Sequence, residues 1–415
     1  MLDLLLYQLK KPYHFVKTGL LKGLPAQIKY KFPNRHITVI AITGTDGKTT
    51  SSTLLYSVLK AAGKQVALLS TVAAYIGDES IDTGFHVTTP DPAKIQAFMR
   101  RMIDEGYDYL ILEATSHGIY QYRLWGVEPK IVGITNITLE HLDYHLTYDL
   151  YVAAKASLAK KAEVAVINAD DEMSFAKLKK ELKDSATRID TYSSQDELPK
   201  QVQSAITNRF SEPYNQMNSR LVYKMAQELE VSDKEFIKGI QEFKGVPGRM
   251  ESLGQFQGAE IIVDFAHTPK ALEEVLFALQ YKMKRQNKNG KLIAVFGAAG
   301  LRDWKKRPMM GRIGAELADI AILTAEDPRT EDVWSIIRQM KSNLGEYQGK
   351  VISIGDRAEA IQYALDTFAE PHNIIGIFGK GHEKSMTFGK QEYPWSDQEA
   401  VKKIMNGKKL TKVSA

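Results

Sequence analysis

The chain has 415 residues, 44% hydrophobic and 25% charged, enough for two or three soluble domains with ample core. A formal charge of +5 is slight for this length, and no dense Lys/Arg block carries interleaved aromatics, which argues against a nucleic-acid binder. Without a single cysteine there are no disulfides and no thiolate zinc sites, a composition that suits the reducing cytoplasm.

Residues 1–36 open on MLDLLLYQL, an apolar run too short to span a bilayer and lacking the basic lead of a signal peptide. They read as a basic amphipathic lead-in packed on the first domain, compatible with surface contact but not with stable membrane insertion. The run Ile37–Ile42, rich in β-branched residues, predicts a buried strand. Residues 49–62 predict a helix with Leu54, Leu55, Val58 and Leu59 on one face. Further apolar runs at 65–70, 108–112, 131–137 and 163–168 alternate with helical patterns such as Ala93–Glu105 and Leu150–Lys160. Such alternation predicts an α/β fold, a mostly parallel sheet with helices on both faces. Residues 185–215 weaken into polar, turn-rich sequence before a helix at Asn218–Glu230. Lys244-Gly245-Val246-Pro247-Gly248-Arg249 reads as a linker. A second alternation follows, with strands near 260–265, 291–296, 320–324, 350–354 and 373–378. The expected organisation is therefore a lead-in (1–36), a central domain (37–246) and a carboxy-terminal domain (247–415).

Between the first strand and helix lies Gly44-Thr45-Asp46-Gly47-Lys48-Thr49-Thr50. Gly44 and Gly47 permit a tight turn that aims several N–H groups at one phosphate, and the helix N-terminus adds its dipole. Lys48 supplies a point charge, and the Thr49 hydroxyl suits Mg²⁺. Position 42 is Ile where the usual Walker pattern has glycine, so the loop is a shortened GxxGKT variant. The strand Tyr109–Leu112 delivers Glu113 to the carboxyl edge of the sheet, where a hard cation finds an oxygen ligand. The strand Ile131–Ile137 runs on into Glu140-His141-Leu142-Asp143-Tyr144-His145, an acid and two histidines at the same edge. Lys155, taken alone, reads as a surface lysine on a helix.

These blocks together resemble the Mur ligase family, most closely its UDP-N-acetylmuramoyl-tripeptide synthetase branch. The likeness runs from Pro33-Asn34-Arg35 nearly to the carboxyl terminus. In the central domain it rests on GTDGKTT (TNGKTT in most members), TTPDP at 88–92, EATSHG at 113–118 and NITLEHLDYH at 136–145. It continues through YVAAK at 151–155, NADD at 168–171 and YNQMN at 214–218. Beyond these stand GVPGRME at 245–251, VDFAHTPKALEEVL at 263–276 and FGAAGLRDWKKRPMMG at 296–311. LTAEDPRTED at 323–332 and FGKGHE at 378–383 complete the series.

The resemblance implies a P-loop ATPase-like central domain, a Rossmann-like carboxy-terminal domain, and an ATP-dependent ligase of peptidoglycan precursor synthesis. Gly44, Thr45, Asp46, Gly47, Lys48, Thr49 and Thr50 would hold the ATP phosphates. Thr49 would bind one Mg²⁺, and Glu113 and His141 a second. Lys155 matches the lysine that CO₂ converts to a carbamate, which requires a neutral amine and hence a depressed pKa. Asn215 and Asn218 would lie near the adenine, and Arg249, Asp264, His267, Arg302 and Asp303 would reach the nucleotide. The implied reaction activates an acceptor carboxylate as an acyl phosphate, which the amine of an amino acid then attacks.

Acceptor contacts implied in the same way are Thr88, Thr89, Thr115, Gln121 and Arg123. Asp327, Arg329, Gly379 and Glu383 outline the amino-acid pocket. Arg329 can pair with a distal carboxylate and favours diaminopimelate, while Asp in place of the usual Asn at 327 adds negative charge and leaves the choice open. Family members usually carry a UDP-gripping domain before the loop, where this chain has about thirty-six residues of lead-in. Either UDP recognition falls to a remodelled amino terminus or a partner protein, or the substrate is not a UDP-sugar at all. An amidotransferase-partnering subunit usually carries a four-cysteine zinc ribbon, which this chain cannot form. A folylpolyglutamate synthetase shares the core but lacks the LDYH and DPR blocks.

Overall fold

The computed structural model describes residues 2–72, 74–77, 79–81, 89–286 and 289–412. The chain divides into two compact units, Met1–Gly245 and Val246–Ala415. The division falls in the Gly-Val-Pro-Gly segment, where Gly245 and Gly248 take left-handed φ of +87° and +67°.

The first unit is built on eight strands: β1 (Thr38–Thr43), β2 (Val66–Leu69), β3 (Ala74–Ile76), β4 (Glu79–Ile81), β5 (Tyr109–Glu113), β6 (Ile131–Ile134), β7 (Val164–Asn168) and β8 (Arg188–Tyr192). Their order is β4-β3-β2-β5-β1-β6-β7-β8. All pairings are parallel except β2–β3 and β3–β4. The central strands are continuous apolar runs because helices cover both faces. β5 and β6 flank β1, with Ile42 opposite Glu113 and Thr43 opposite Ile134. Three strand ends thus deliver the loop after β1, Glu113 and the segment after β6 to one edge.

The polar stretch at 185–215 is more structured than its pattern predicts. It contains β8 and a helix, Lys200–Arg209. β8 is an edge strand with only Tyr192 buried, and the helix buries only Val202 and Ile206. Neither needs the apolar periodicity that announces an element. The next helix starts at Pro213, not Asn218, with proline in its first turn.

The lead-in is helical: Leu2–His14, a π-helical stretch Phe15–Gly23, and Leu24–Lys29. It packs against the helix Pro92–Asp104. Gly19 and Gly23 lie directly on the Trp125 indole, so the absence of side chains there sets how closely the lead-in approaches. No helix among the described residues is long and apolar enough to cross a membrane.

The second unit holds β9 (Glu251–Phe256), β10 (Ala259–Asp264), β11 (Leu292–Phe296), β12 (Ile320–Leu323), β13 (Val351–Ser353) and β14 (Ile374–Phe378), ordered β13-β12-β11-β14-β10-β9. Only β9 is antiparallel to its neighbour. β9 is half exposed and escapes sequence prediction, as does the hairpin of β15 (Ser385–Phe388) and β16 (Gln391–Pro394). Two apolar layers sandwich the sheet, one around Leu276, Phe296 and Met340, the other around Ile293, Ile361 and Val401. A fully buried Arg357–Asp397 pair at 2.7 Å joins the helix Arg357–Phe368 to Asp397–Met405.

Gly23→Val tests the lead-in packing, because a Cβ there would lie 2.5 Å from Trp125 Cγ. Overpacking of this kind costs about 1–3 kcal/mol, read as a fall in melting temperature, whereas Leu21→Ser on the exposed side should stay within about 0.5 kcal/mol.

Candidate active site

The loop after β1 is shaped by two glycines that no other residue would replace. Gly44 has φ +149°, and a Cβ there would collide with Thr135 Oγ1; Gly47 has φ +79°, and its Cβ would collide with Asn218 Oδ1. The segment after β6 holds the loop from beneath. Thr45 N donates to Asn136 O at 2.8 Å, Asp46 N to Asn136 Oδ1 at 2.9 Å, and Thr135 Oγ1 to Asp46 O at 2.6 Å. Lys48 and Thr49 open the helix Lys48–Ala61, with Thr50 behind them. Lys48 Nζ donates back to Thr45 O at 2.6 Å, an internal contact that an arriving phosphate would replace. Asn218 abuts the loop at Gly47, and its Nδ2 donates to Asn215 Oδ1 at 3.3 Å.

Lys155 corrects its reading as a surface lysine. Only 1% of it is exposed, and its Nζ donates to Gly44 O at 2.5 Å, directly under the loop. The Tyr151 ring lies 4.5 Å away, and its hydroxyl meets Thr45 Oγ1 at 3.1 Å. Burial first, and the nearby Lys48 charge second, hold the Lys155 amine well below the ordinary lysine range. A small-residue helix buries it, and sequence pattern does not distinguish that from a surface stripe.

Glu113 is buried at the end of β5 and accepts three hydrogen bonds. Thr49 Oγ1 donates at 3.1 Å, Thr71 Oγ1 at 2.8 Å and Thr71 N at 3.0 Å. The Thr49 hydroxyl and Glu113 carboxylate are an oxygen pair at a helix start, a donor set that fits Mg²⁺. Among the described residues no three His, Asp or Glu side chains group as a metal cage. His141, at φ +55°, instead begins the turn Leu142–His145 and places its ring 4.9 Å from His117 and 6.1 Å from Tyr151.

His145, which no site assignment from sequence included, is the buried centre of this aromatic cluster. It bonds Tyr7 OH through Nδ1 at 2.9 Å and Ser116 Oγ through Nε2 at 3.0 Å. Burial, then His117, Lys155 and His141, pushes its pKa down to about 3. The lead-in therefore reaches the EATSHG segment through Tyr7, a contact with no signal in sequence.

Four expected acceptor residues form one network. Thr115 N donates to Thr89 Oγ1 at 3.0 Å, Arg123 Nη1 to Thr89 O at 2.9 Å and Arg123 Nε to Gln121 Oε1 at 2.9 Å. Gln121 Nε2 then donates to Tyr144 OH at 2.8 Å. Thr115 also caps the helix Ser116–Tyr120. Thr88 lies outside the described residues.

In the second unit, Asp264 ends β10 and accepts from Met250 N at 2.6 Å and Ala266 N at 2.7 Å. Arg249 stacks on Phe265 at 4.3 Å, and the His267 ring lies 4.5 Å from that ring, tilted against it. Arg302 and Asp303 stand on an exposed loop. Asp327 is not a free negative charge: buried Lys380 donates to it at 3.0 Å and also bonds Glu383 at 2.5 Å. Burial opposes the Lys380 charge, but Glu383 and Asp327 outweigh it and raise its pKa. Gly379 keeps space beside buried Glu326, whose Oε2 has no hydrogen-bond partner and whose pKa burial raises. Arg329 takes φ +53° and anchors Nη1 on Gly300 O at 2.6 Å. Lys380 and Glu326 were missed as individual residues, although both lie in the quoted FGKGHE and LTAEDPRTED blocks.

A phosphate loop with a buried lysine beneath it, a strand-end carboxylate beside it, and two α/β units define an ATP-dependent ligase. The Mur ligase middle domain matches residues 42–231, and the Mur ligase glutamate ligase domain matches 248–381. The chain belongs to the Mur ligase family. It is 34% identical over 393 residues to the UDP-N-acetylmuramoyl-L-alanyl-D-glutamate–2,6-diaminopimelate ligase of Clostridium botulinum, covering 91% of this chain and 79% of that protein. It is also 34% identical over 397 residues to the UDP-N-acetylmuramyl-tripeptide synthetase of Deinococcus radiodurans, covering 90% and 79%. A solved UDP-N-acetylmuramoyl-L-alanyl-D-glutamate–2,6-diaminopimelate ligase superposes with TM-score 0.59 at 27% identity, covering 93% of this chain and 82% of that one. Folylpolyglutamate synthase from Mycobacterium tuberculosis shares the fold, with TM-score 0.68 at 16% identity over 87% and 92% of the two chains.

His145 makes stability pH-dependent. With a folded pKa near 3 and an ordinary value of 6.5, the unfolded chain binds more protons between them, so stability falls as pH drops through that window. From pH 7 to pH 5 urea unfolding should lose about 2 kcal/mol more in the native chain than in His145→Gln.

Proposed function

We propose that this chain joins a diamino acid, meso-diaminopimelate, to the carboxylate of a muramoyl-dipeptide-type acceptor, using ATP. The observation that carries the ATP chemistry is Lys155 beneath the loop, its Nζ on Gly44 O at 2.5 Å, with Glu113 tied to Thr49 at 3.1 Å. Retained Arg329 supports the choice of amino acid, as does the named diaminopimelate-ligase activity of relatives 34% and 35% identical to this chain.

The acceptor carboxylate attacks the γ-phosphorus of ATP, the bond to the bridging oxygen breaks, and ADP leaves. The amino group then attacks the acyl phosphate carbonyl, phosphate departs with the bonding pair, and the nitrogen loses its proton. The loop N–H groups and Lys48 gather and neutralise phosphate oxygens, while Thr89, Thr115, Gln121 and Arg123 orient the acceptor. Asn218, against the loop, and Asn215 beside it serve as adenine contacts. Arg249, Asp264, His267 and Arg302 match the family's nucleotide-binding positions, and Asp264 fixes the turn next to Arg249. Mg²⁺ on Thr49 and Glu113, with His141 completing a second site beside a CO₂-derived carbamate on Lys155, would supply further charge neutralisation. Arg329 pairs with the distal carboxylate of the amino acid, and the Lys380–Asp327–Glu383 cluster frames its other end.

ATP-dependent phosphate release tests this with UDP-muramoyl-dipeptide and truncated acceptors, each crossed with diaminopimelate, lysine and ornithine. Turnover should require diaminopimelate, and Arg329→Ala should raise KM for it roughly tenfold to a hundredfold, the loss of one charge-assisted pair. No turnover with any muramoyl-dipeptide acceptor would contradict the reading.

A further inference from the structure

The lead-in has two faces of unlike chemistry. One face, with Tyr7, Gly19, Gly23 and Ala26, is buried against the first unit. The other presents Leu6, Leu9, Tyr13, Val16 and Leu20, spaced three and four residues apart, so they form one stripe along the helical axis. All five are exposed, Leu9 by 59% and Tyr13 by 54%, and Leu21 beside the stripe by 69%. Monomeric soluble proteins rarely leave such a contiguous apolar surface to water.

Charge identifies what would cover it. Residues 1–36 contain seven Lys/Arg and one acid, whereas the remaining residues hold 48 Lys/Arg and 49 Asp/Glu. The whole positive excess of the chain therefore sits in this segment. Lys10, Lys11, Lys17, Lys29 and Lys31 are exposed, and among the described residues none of them is ion-paired; Lys22 alone bonds Asp91. An apolar stripe bordered by unpaired lysines, on a helix too short and too charged to span, suits the plane between lipid headgroups and acyl chains. A protein partner of acidic surface would match the lysines but would not require the apolar stripe.

We propose that the lead-in is a peripheral docking surface for a bilayer of anionic phospholipid. The stripe enters the headgroup boundary and the lysines meet lipid phosphates. Tyr7, bonded to His145, keeps this surface fixed to the catalytic unit. The proposal does not depend on which acceptor or amino acid the enzyme uses.

Co-sedimentation of the full chain with phosphatidylglycerol/phosphatidylcholine vesicles, and with phosphatidylcholine alone, tests it. The protein should pellet with the anionic vesicles and lose most of that binding at high salt. Leu9→Asp/Val16→Asp and Lys10→Glu/Lys17→Glu should each weaken partition by about tenfold or more while melting temperature stays unchanged. Absence of pelleting overturns the proposal, as does equal binding to neutral vesicles. Concentration-dependent dimerisation in light scattering, abolished by Leu9→Asp/Val16→Asp without vesicle binding, would assign the stripe to a second copy and overturn it too.

Discussion

The structure of the first unit is organised around a lysine that should not be where it is. Burying an ammonium group inside a protein is costly, and the usual escape is loss of the proton; here Glu140 and Asp46 offset that cost only in part. Lys155 lies wholly inside, against the Gly44 carbonyl and over the Tyr151 ring, with the Lys48 charge further disfavouring protonation. That placement gives the phosphate loop a floor: Gly44 can bring its carbonyl to the amine only because no Cβ blocks its approach to Thr135. An amine whose pKa is held well below the ordinary lysine range is the form of lysine that CO₂ would convert to a carbamate, and that product would turn a cationic position anionic. The charge balance of the site thus depends on the protonation state of one side chain.

The second unit solves a related problem by pairing. Lys380 is as deeply buried as Lys155, yet Asp327 and Glu383 hold its charge in place. Two buried lysines in one chain therefore titrate in opposite directions, for reasons visible in their neighbours. The negative charge of Asp327 is largely absorbed by Lys380.

Much of this was legible in sequence wherever the pattern was strong. The parallel strands, buried on both faces, announce themselves as apolar runs, and the turn that carries the phosphate loop is written in its glycines. Among the elements missed were the half-exposed edges β8, β9 and the β15–β16 hairpin, whose side chains need no periodicity, and the very short β3 and β4, three residues each. Glu113 and Thr49 lie where the sequence pattern put them, because a strand end and a helix start fix their positions. Lys155 was misread from its own helix, since Ala-rich neighbours mark burial and surface alike, and only the family resemblance gave it a role. Tyr7, His145 and Lys380 acquire meaning through contacts 138 and 53 residues apart in sequence, which no local pattern encodes.

The most direct measurement is ¹³C NMR of the protein equilibrated with ¹³C-bicarbonate, compared with Lys155→Ala under the same conditions. The account predicts one carbamate carbon resonance in the native chain, favoured as pH rises and absent from the variant. A native chain that shows no such resonance, or shows it unchanged in Lys155→Ala, would contradict it.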